Sequence, residues 1–314
     1  MRDLFIRGKN NECLNSKEIE KITRDIFHKI QTEQGSSEST YDRLVSLYSH
    51  EYFCVDKQFF EDKICLDVGC GNNAHASKAL LELGIKKIYA LDLDETIFDT
   101  VPKFLSGFED KFELKVGNVL NLPYDDNFFD FVHCSGVLHH TVDLFKGLSE
   151  LARVTKHGGM IYIGIFGAGT GIFSQITELF RNEYKQNSEF RILIDTLDRE
   201  GVLQCINYIY NELDNHNDPI IEKIPKGVLE SLINDDLILT IKDRITAPIY
   251  ENTPIKKIET WFENNEFTNF ERLKRYPKID NIRGLLSPLY HNHDSKFSKI
   301  LLGEGFIQVK AIKK

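Results

Sequence analysis

Residues 65–73 read Cys65-Leu66-Asp67-Val68-Gly69-Cys70-Gly71-Asn72-Asn73, a short buried-strand pattern that runs into a glycine turn. Glycine lacks the Cβ that penalises positive φ, so a turn built on Gly69 and Gly71 lets a ligand lie directly on backbone. A glycine pair alone is a common tight turn, and its meaning comes from its surroundings. From Lys63 onward, short apolar runs at 64–68, 87–91, 112–116, 129–134 and 160–166 alternate with helical stretches. That rhythm marks strand–helix–strand units in a parallel sheet buried on both faces, and the expected fold is a doubly wound α/β sheet. Ligands of such sheets lie beyond the carboxyl ends of the strands, so the residue after each strand becomes a functional candidate.

The second strand, Ile88-Tyr89-Ala90-Leu91, ends in Asp92. It lies about 20 residues beyond the glycines, where a carboxylate can accept both ribose hydroxyls. Capping the helix near Glu95 is the alternative role, but Asp94 is better placed for it. Nucleoside binding is therefore expected. A second glycine run, Gly167-Ala168-Gly169-Thr170-Gly171, also follows a strand. A nicotinamide dinucleotide fingerprint would need glycine where Ile172 stands and an acidic end to a following strand. Neither is present, and the run reads either as a substrate-side loop or as a strand-to-helix turn.

Further motifs follow in order: Val116-Gly117-Asn118-Val119, then Leu122-Pro123-Tyr124-Asp125-Asp126-Asn127-Phe128-Phe129-Asp130, then Cys134-Ser135-Gly136-Val137-Leu138-His139-His140, then Arg153-Val154-Thr155-Lys156-His157-Gly158-Gly159. Together with the glycine turn they resemble the class I S-adenosylmethionine-dependent methyltransferases over about residues 60–166, with a completion after Thr246. The resemblance implies a seven-stranded, Rossmann-like, mostly parallel sheet whose last two strands form an antiparallel pair. It implies S-adenosyl-L-methionine as cofactor and S-adenosyl-L-homocysteine as product. Carried over residue by residue, Asp67 and the turn Gly69, Cys70, Gly71, Asn72 would face the methionine part of the cofactor. Asp92 would hold the ribose, Leu93 would pack on adenine, and Asn118 with Val119 would meet the adenine edge. The family commonly has Asp where Asn118 stands, accepting from the exocyclic amine; an amide oxygen can also accept there. Ser135 and Gly136 would lie under the sulfonium.

Methyl transfer from a sulfonium is an in-line displacement, and holding the reacting atoms in line is worth roughly 7–11 kcal/mol. A general base adds roughly 10²–10⁴-fold where the acceptor loses a proton, and imidazole is the usual one. His139 is the expected base or substrate contact. His140 is a substrate-side candidate whose alternative role is to pin its loop to backbone. Tyr250, where the chain returns to the sheet, either reaches the acceptor or belongs to an ordinary turn. Arg272, Lys274, Arg275, Tyr276, Lys278 and Arg283 form a local basic patch. It reads as a solvated face or as a contact for an anionic substrate group. His291-Asn292-His293-Asp294 lacks a third distant ligand, and no metal is expected.

The rest of the chain fits around this unit. Residues 16–31 place Ile19, Ile22, Ile26, Phe27 and Ile30 at helical spacing behind a Ser cap, within an N-terminal extension over 1–40. Residues 35–40, Gly-Ser-Ser-Glu-Ser-Thr, read as a flexible joint. The methyltransferase domain is expected over 41–171 and 246–314, with a helix at 254–264 and strands at 269–274 and 305–311. Between them, 172–245 is polar and helical in period, notably 190–203 and 227–239, and reads as a helical cap insertion with the role of a lid or of padding.

The 314 residues carry 39 Lys plus Arg against 48 Asp plus Glu, a net charge of −9 that disfavours nucleic acid and anionic membranes. Six dispersed cysteines without a CxxC pair suit reduced thiols in a cytoplasmic protein. No apolar run approaches the roughly 20 residues that span a bilayer. The expected activity is methyl transfer to a small-molecule acceptor, a biosynthetic intermediate; the alternatives are a protein or RNA acceptor, or a non-catalytic nucleoside-binding scaffold.

Overall fold

The structure, a computed structural model, describes residues 15–34, 45–216, 235–273 and 293–314. Strands β1 (Ile64–Val68), β2 (Lys87–Asp92), β3 (Phe112–Val116), β4 (Phe129–Ser135), β5 (Thr155–Phe166), β6 (Phe267–Arg272) and β7 (Phe306–Lys313) form one sheet in the order β3-β2-β1-β4-β5-β7-β6. The first five run parallel, and β7 inserts antiparallel between β5 and β6. This is the expected doubly wound, seven-stranded Rossmann-like sheet. Alternate side chains supply a core on each face. Leu66, Val132 and Ile161 enter one with Phe262 and Val309, and Cys65, Phe131 and Tyr162 enter the other with Phe60 and Leu80.

Helix α1 spans Ser16–Gln34. Its cap is Asn15 rather than the expected serine: Asn15 Oδ1 accepts from the N–H groups of Lys17 and Glu18, and Glu18 Oε2 accepts from Asn15 N. That reciprocal pattern is a capping box set one residue earlier. Helices α2 (His50–Phe53), α3 (His75–Glu82), α4 (Ile97–Phe104) and α5 (Leu144–Val154) flank the parallel strands. β5 begins at Thr155, ahead of the apolar run, because the polar Thr155 already pairs with Phe129 across an irregularity in the β4 ladder.

Between β5 and the chain's return to the sheet lie α6 (Ile172–Gln186), α7 (Ser188–Thr196), α8 (Arg199–Asn215) and α9 (Asp235–Thr246). The helix expected over 190–203 is divided at the extended Leu197, and Asp198 Oδ1 accepts from Gly201 N at the start of the next helix. α6 and α9 pack together, and α9 also packs on α1. Buried Arg181 of α6 donates to the carbonyls of Arg244 and Ala247, satisfying the open C-terminal end of α9. The chain returns through α10 (Ile255–Asn264) and α11 (Lys296–Leu302).

The second glycine run is a packed turn, not an open loop. Gly167 N donates to Gly305 O, and a Cβ on Gly171 would come 2.1 Å from Gly303 N. Glu304 Oε2 accepts from both Ala168 N and Ile255 N at 2.8 Å, joining the points where the insertion leaves and re-enters the sheet. The joint at 35–40, the start of the helical reading at 227–239, Cys13, most of the basic patch (Lys274, Arg275, Tyr276, Lys278, Arg283), and His291 with Asn292 lie outside the described residues. Among the described residues no group of three or more His, Cys, Asp and Glu could hold a metal ion. No described helix is long and apolar enough to cross a membrane.

Candidate active site

The sheet and its covering helices enclose a cavity of about 420 Å³ at the carboxyl ends of β1, β2 and β4. Its floor begins at the glycine turn. Gly69 has φ +74, and a Cβ there would lie 2.2 Å from Val137 Cγ2. Gly71 has φ +65, and a Cβ there would come 2.6 Å from Gln31 Nε2. Both positions need glycine for their positive φ, and at Gly69 the short, branched Val137 side chain also leaves no room for a Cβ.

Asp92 closes β2 beside this turn. Its Oδ2 accepts from Gly71 N at 2.9 Å and its Oδ1 from Asp94 N at 3.1 Å. Burial pushes the Asp92 carboxyl above its ordinary value, and these N–H donors offset only part of that rise. Each oxygen keeps a further lone pair, so the carboxylate can still accept ribose hydroxyls.

Helix α1 roofs the cavity with Glu20, Phe27, His28 and Gln31. Gln31 Oε1 accepts from Asn72 N at 2.7 Å, and His28 Nδ1 lies 2.6 Å from Asp94 Oδ2. Burial works to raise the Asp94 carboxyl, but the Thr96 N–H, His28 and Asn72 outweigh it and hold it below its ordinary value. At the far side, Asn118 Nδ2 donates to Glu20 Oε1 at 2.5 Å while Asn118 Oδ1 accepts from Leu120 N at 2.8 Å. The amide oxygen expected to read adenine is thus engaged by its own backbone.

Of the residues singled out in the sequence, Gly69, Asp92, Leu93, Asn118, Val119, Ser135, Gly136 and His140 line the cavity. Asp67, Cys70, Gly71, Asn72, His139 and Tyr250 stand behind its wall, each for a physical reason. Asp67, 1% exposed, accepts from Ser77 Oγ and pairs with His133 Nδ1, both at 2.7 Å, and so braces β1 against α3 and β4. Cys70 is buried, which pushes its thiol up and leaves it unreactive. Gly71 and Asn72 act through Asp92 and α1 as described.

His139 is enclosed next to the cavity. The 3₁₀ turn Leu138–His140 directs its ring inward, 1% exposed, with the Phe166 ring centroid 4.5 Å away. Its Nδ1 meets no hydrogen-bond partner among the described residues. Burial drives its pKa well below the ordinary histidine value, so it is neutral, and it is not among the residues that line the cavity. Tyr250 packs against Phe166 at 4.6 Å and under the Arg181 guanidinium at 5.0 Å, where burial pushes its phenol up to about 12.

His140 stays on the cavity wall. Its Nδ1 donates to Ile249 O at 2.8 Å, and its Nε2 lies 3.2 Å from Asp243 Oδ1 of α9. It therefore pins the returning chain and also presents a polar group where the cap meets the sheet. Sequence reading missed Glu20, His28, Gln31 and Asp243. The first three recur on one face of a helix assigned only an apolar stripe, and that polar stripe was the available signal.

Residues 66–163 match the family model described as a methyltransferase domain. The demethylmenaquinone methyltransferase of Desulfitobacterium hafniense (strain Y51) is 27% identical over 168 residues, which cover 48% of this chain and 65% of that protein. A demethylmenaquinone methyltransferase of Staphylococcus haemolyticus (strain JCSC1435) is 35% identical over 133 residues, covering 39% and 54%. The match thus spans between half and two thirds of these relatives' length. The crystal structure of Burkholderia thailandensis 1,6-didemethyltoxoflavin-N1-methyltransferase with bound 1,6-didemethyltoxoflavin and S-adenosylhomocysteine has the same fold, with a TM-score of 0.50, 11% identity, and coverage of 97% of this chain and 93% of that one. With the strand order, the glycine turn and the matched domain all in agreement, residues 66–163 form a methyltransferase domain of the class I S-adenosylmethionine-dependent type, whose cofactor is S-adenosyl-L-methionine.

Proposed function

We propose that the chain transfers a methyl group from S-adenosylmethionine to a small-molecule acceptor that enters beneath α1 and α9. One observation carries this reading: the cavity is roofed by those helices, so it favours a compact acceptor over a polymer strand. The net charge of −9 supports the same choice against a polyanion. The relatives named for a quinone precursor fit this substrate class without specifying the acceptor here.

The residues present suit the cofactor. Asp92 offers a carboxylate to the ribose, the Gly69 turn offers close backbone, and Ser135 with Gly136 lie where β4 ends in the cavity. Bound there, S-adenosylmethionine supplies an electrophilic methyl on a positively charged sulfur. The protein's part is to hold that group in line with the acceptor and to exclude water, which needs few catalytic side chains. The imidazole facing the acceptor side is His140, next to Asp243, rather than the enclosed His139.

Calorimetric titration with S-adenosylmethionine and S-adenosylhomocysteine, together with an Asp92→Asn variant, tests the pocket. Micromolar or tighter binding that weakens at least about tenfold in the variant is expected. Labelled methyl from S-adenosylmethionine should then appear in a small-molecule extract fraction and not in RNA or protein. Binding without any transfer would favour the scaffold alternative, and transfer to RNA would overturn the small-molecule assignment.

A further inference from the structure

We propose that Glu20 of α1 is the acceptor for the exocyclic amine of adenine, so that base recognition comes from the helix that roofs the site. This rests on the adenosyl reading above and deepens it. The residue after β3 is Asn118, where the resembling family carries aspartate. Its amide is committed on both sides. Oδ1 accepts from Leu120 N at 2.8 Å, and Nδ2 donates to Glu20 Oε1 at 2.5 Å. A backbone N–H and a carboxylate are partners of opposite kind, so this orientation of the amide follows from its chemistry.

Asn118 Oδ1 is turned to its local backbone, and its amide N–H₂ positions a carboxylate, a stronger charge-assisted acceptor than the one lone pair left on the amide oxygen. Glu20 and Asn118 line the cavity together with Leu93 and Val119, the residues expected around the adenine. An ionised carboxylate accepts at about four lone-pair sites, and Asn118 uses one of them. An adenine amine can fill another as a charge-assisted hydrogen bond. A 6-oxo base would instead set a carbonyl lone pair against a negative charge, which is specificity by repulsion. Because Glu20 sits on α1, the base is read only while α1 is docked through Gln31 and His28.

The test measures affinity for S-adenosylhomocysteine and S-inosylhomocysteine by calorimetry, and reads their ratio. The wild type should prefer the adenosyl compound by about tenfold or more. Glu20→Gln should bring the ratio close to one, since its amide can donate to a 6-oxo group. Adding Asn118→Asp to Glu20→Gln should restore the preference by returning a carboxylate to the sheet side. Gln31→Ala, which loosens α1 docking, should weaken the adenosyl compound more than the inosyl one and lower the ratio part of the way toward one, because the base is read only while Glu20 is held over the site. Retention of the wild-type ratio in Glu20→Gln would overturn this inference alone. Failure of the wild type to bind either ligand would overturn the adenosyl reading, and this inference with it.

Discussion

Gln31 Oε1 accepts the backbone N–H of Asn72 at 2.7 Å, next to the Gly71 N–H that Asp92 holds at 2.9 Å. The N-terminal helix and the ribose-site carboxylate thus grip adjacent peptide groups of one turn, and movement of either is felt by the other.

Gln31→Ala removes the acceptor for a part-buried N–H, at a cost of about 1 kcal/mol. The expected result is about fivefold faster dissociation of S-adenosylhomocysteine in stopped-flow displacement, with an unchanged far-ultraviolet spectrum. An unaltered off-rate would mean that α1 does not gate the site.

His139 is buried and its pKa is driven well below the ordinary value by burial, with His140 and Arg244 adding to the effect. The folded chain therefore binds fewer protons at this ring than the unfolded chain does once pH falls below about 6.5. Its contribution to stability is complete above that pH and declines below it, by up to about 1.4 kcal/mol per pH unit. Urea midpoints measured from about pH 7.5 to about pH 5.5 should fall less steeply for His139→Leu than for the wild type. Equal slopes would contradict a buried neutral imidazole.

Gly69→Ala forces a Cβ to within 2.2 Å of Val137 Cγ2 at a residue with φ +74. A loss of about 1–3 kcal/mol is expected, read as a lower Tm and weaker nucleoside binding. Adding Val137→Ala should recover part of that loss, because it relieves the clash but not the backbone strain. Additive losses would place the problem elsewhere.

Arg181→Met leaves the carbonyls of Arg244 and Ala247 without their guanidinium. The cap should loosen while the sheet holds, so limited proteolysis within 172–246 should accelerate several-fold under conditions that spare the remaining core. A uniform rise in cleavage along the chain would instead indicate global destabilisation.

The central parallel strands were legible as short apolar runs, as strands covered on both faces are, while the edge strand β3, Phe-Glu-Leu-Lys-Val, alternates apolar and charged residues; β1 and β3 lie where the pattern places them. The polar start of β5 was not legible, since Thr155 and His157 carry no burial signal. Asp92, Leu93 and Val119 were readable because their place at the ends of strands puts them in the cavity. His139 and His140 show the limit. They are adjacent and chemically identical, and only the phase of a 3₁₀ turn sends the first among Phe166 and Phe306 and leaves the second at the cavity. Glu20 and Asp243 belong to helices far away in sequence, and tertiary packing alone brings them to Asn118 and His140.

Glu304 clasps Ala168 and Ile255 with a single oxygen, so the excursion between them departs and returns at one point on the sheet margin. The segment behaves as an exchangeable cassette. Its length and composition can drift, and acceptor preference with them, while the strands beneath keep their register and the nucleoside keeps its berth. Selection for new acceptors would accordingly accumulate changes on the helical side of that clasp and spare the carboxylate itself.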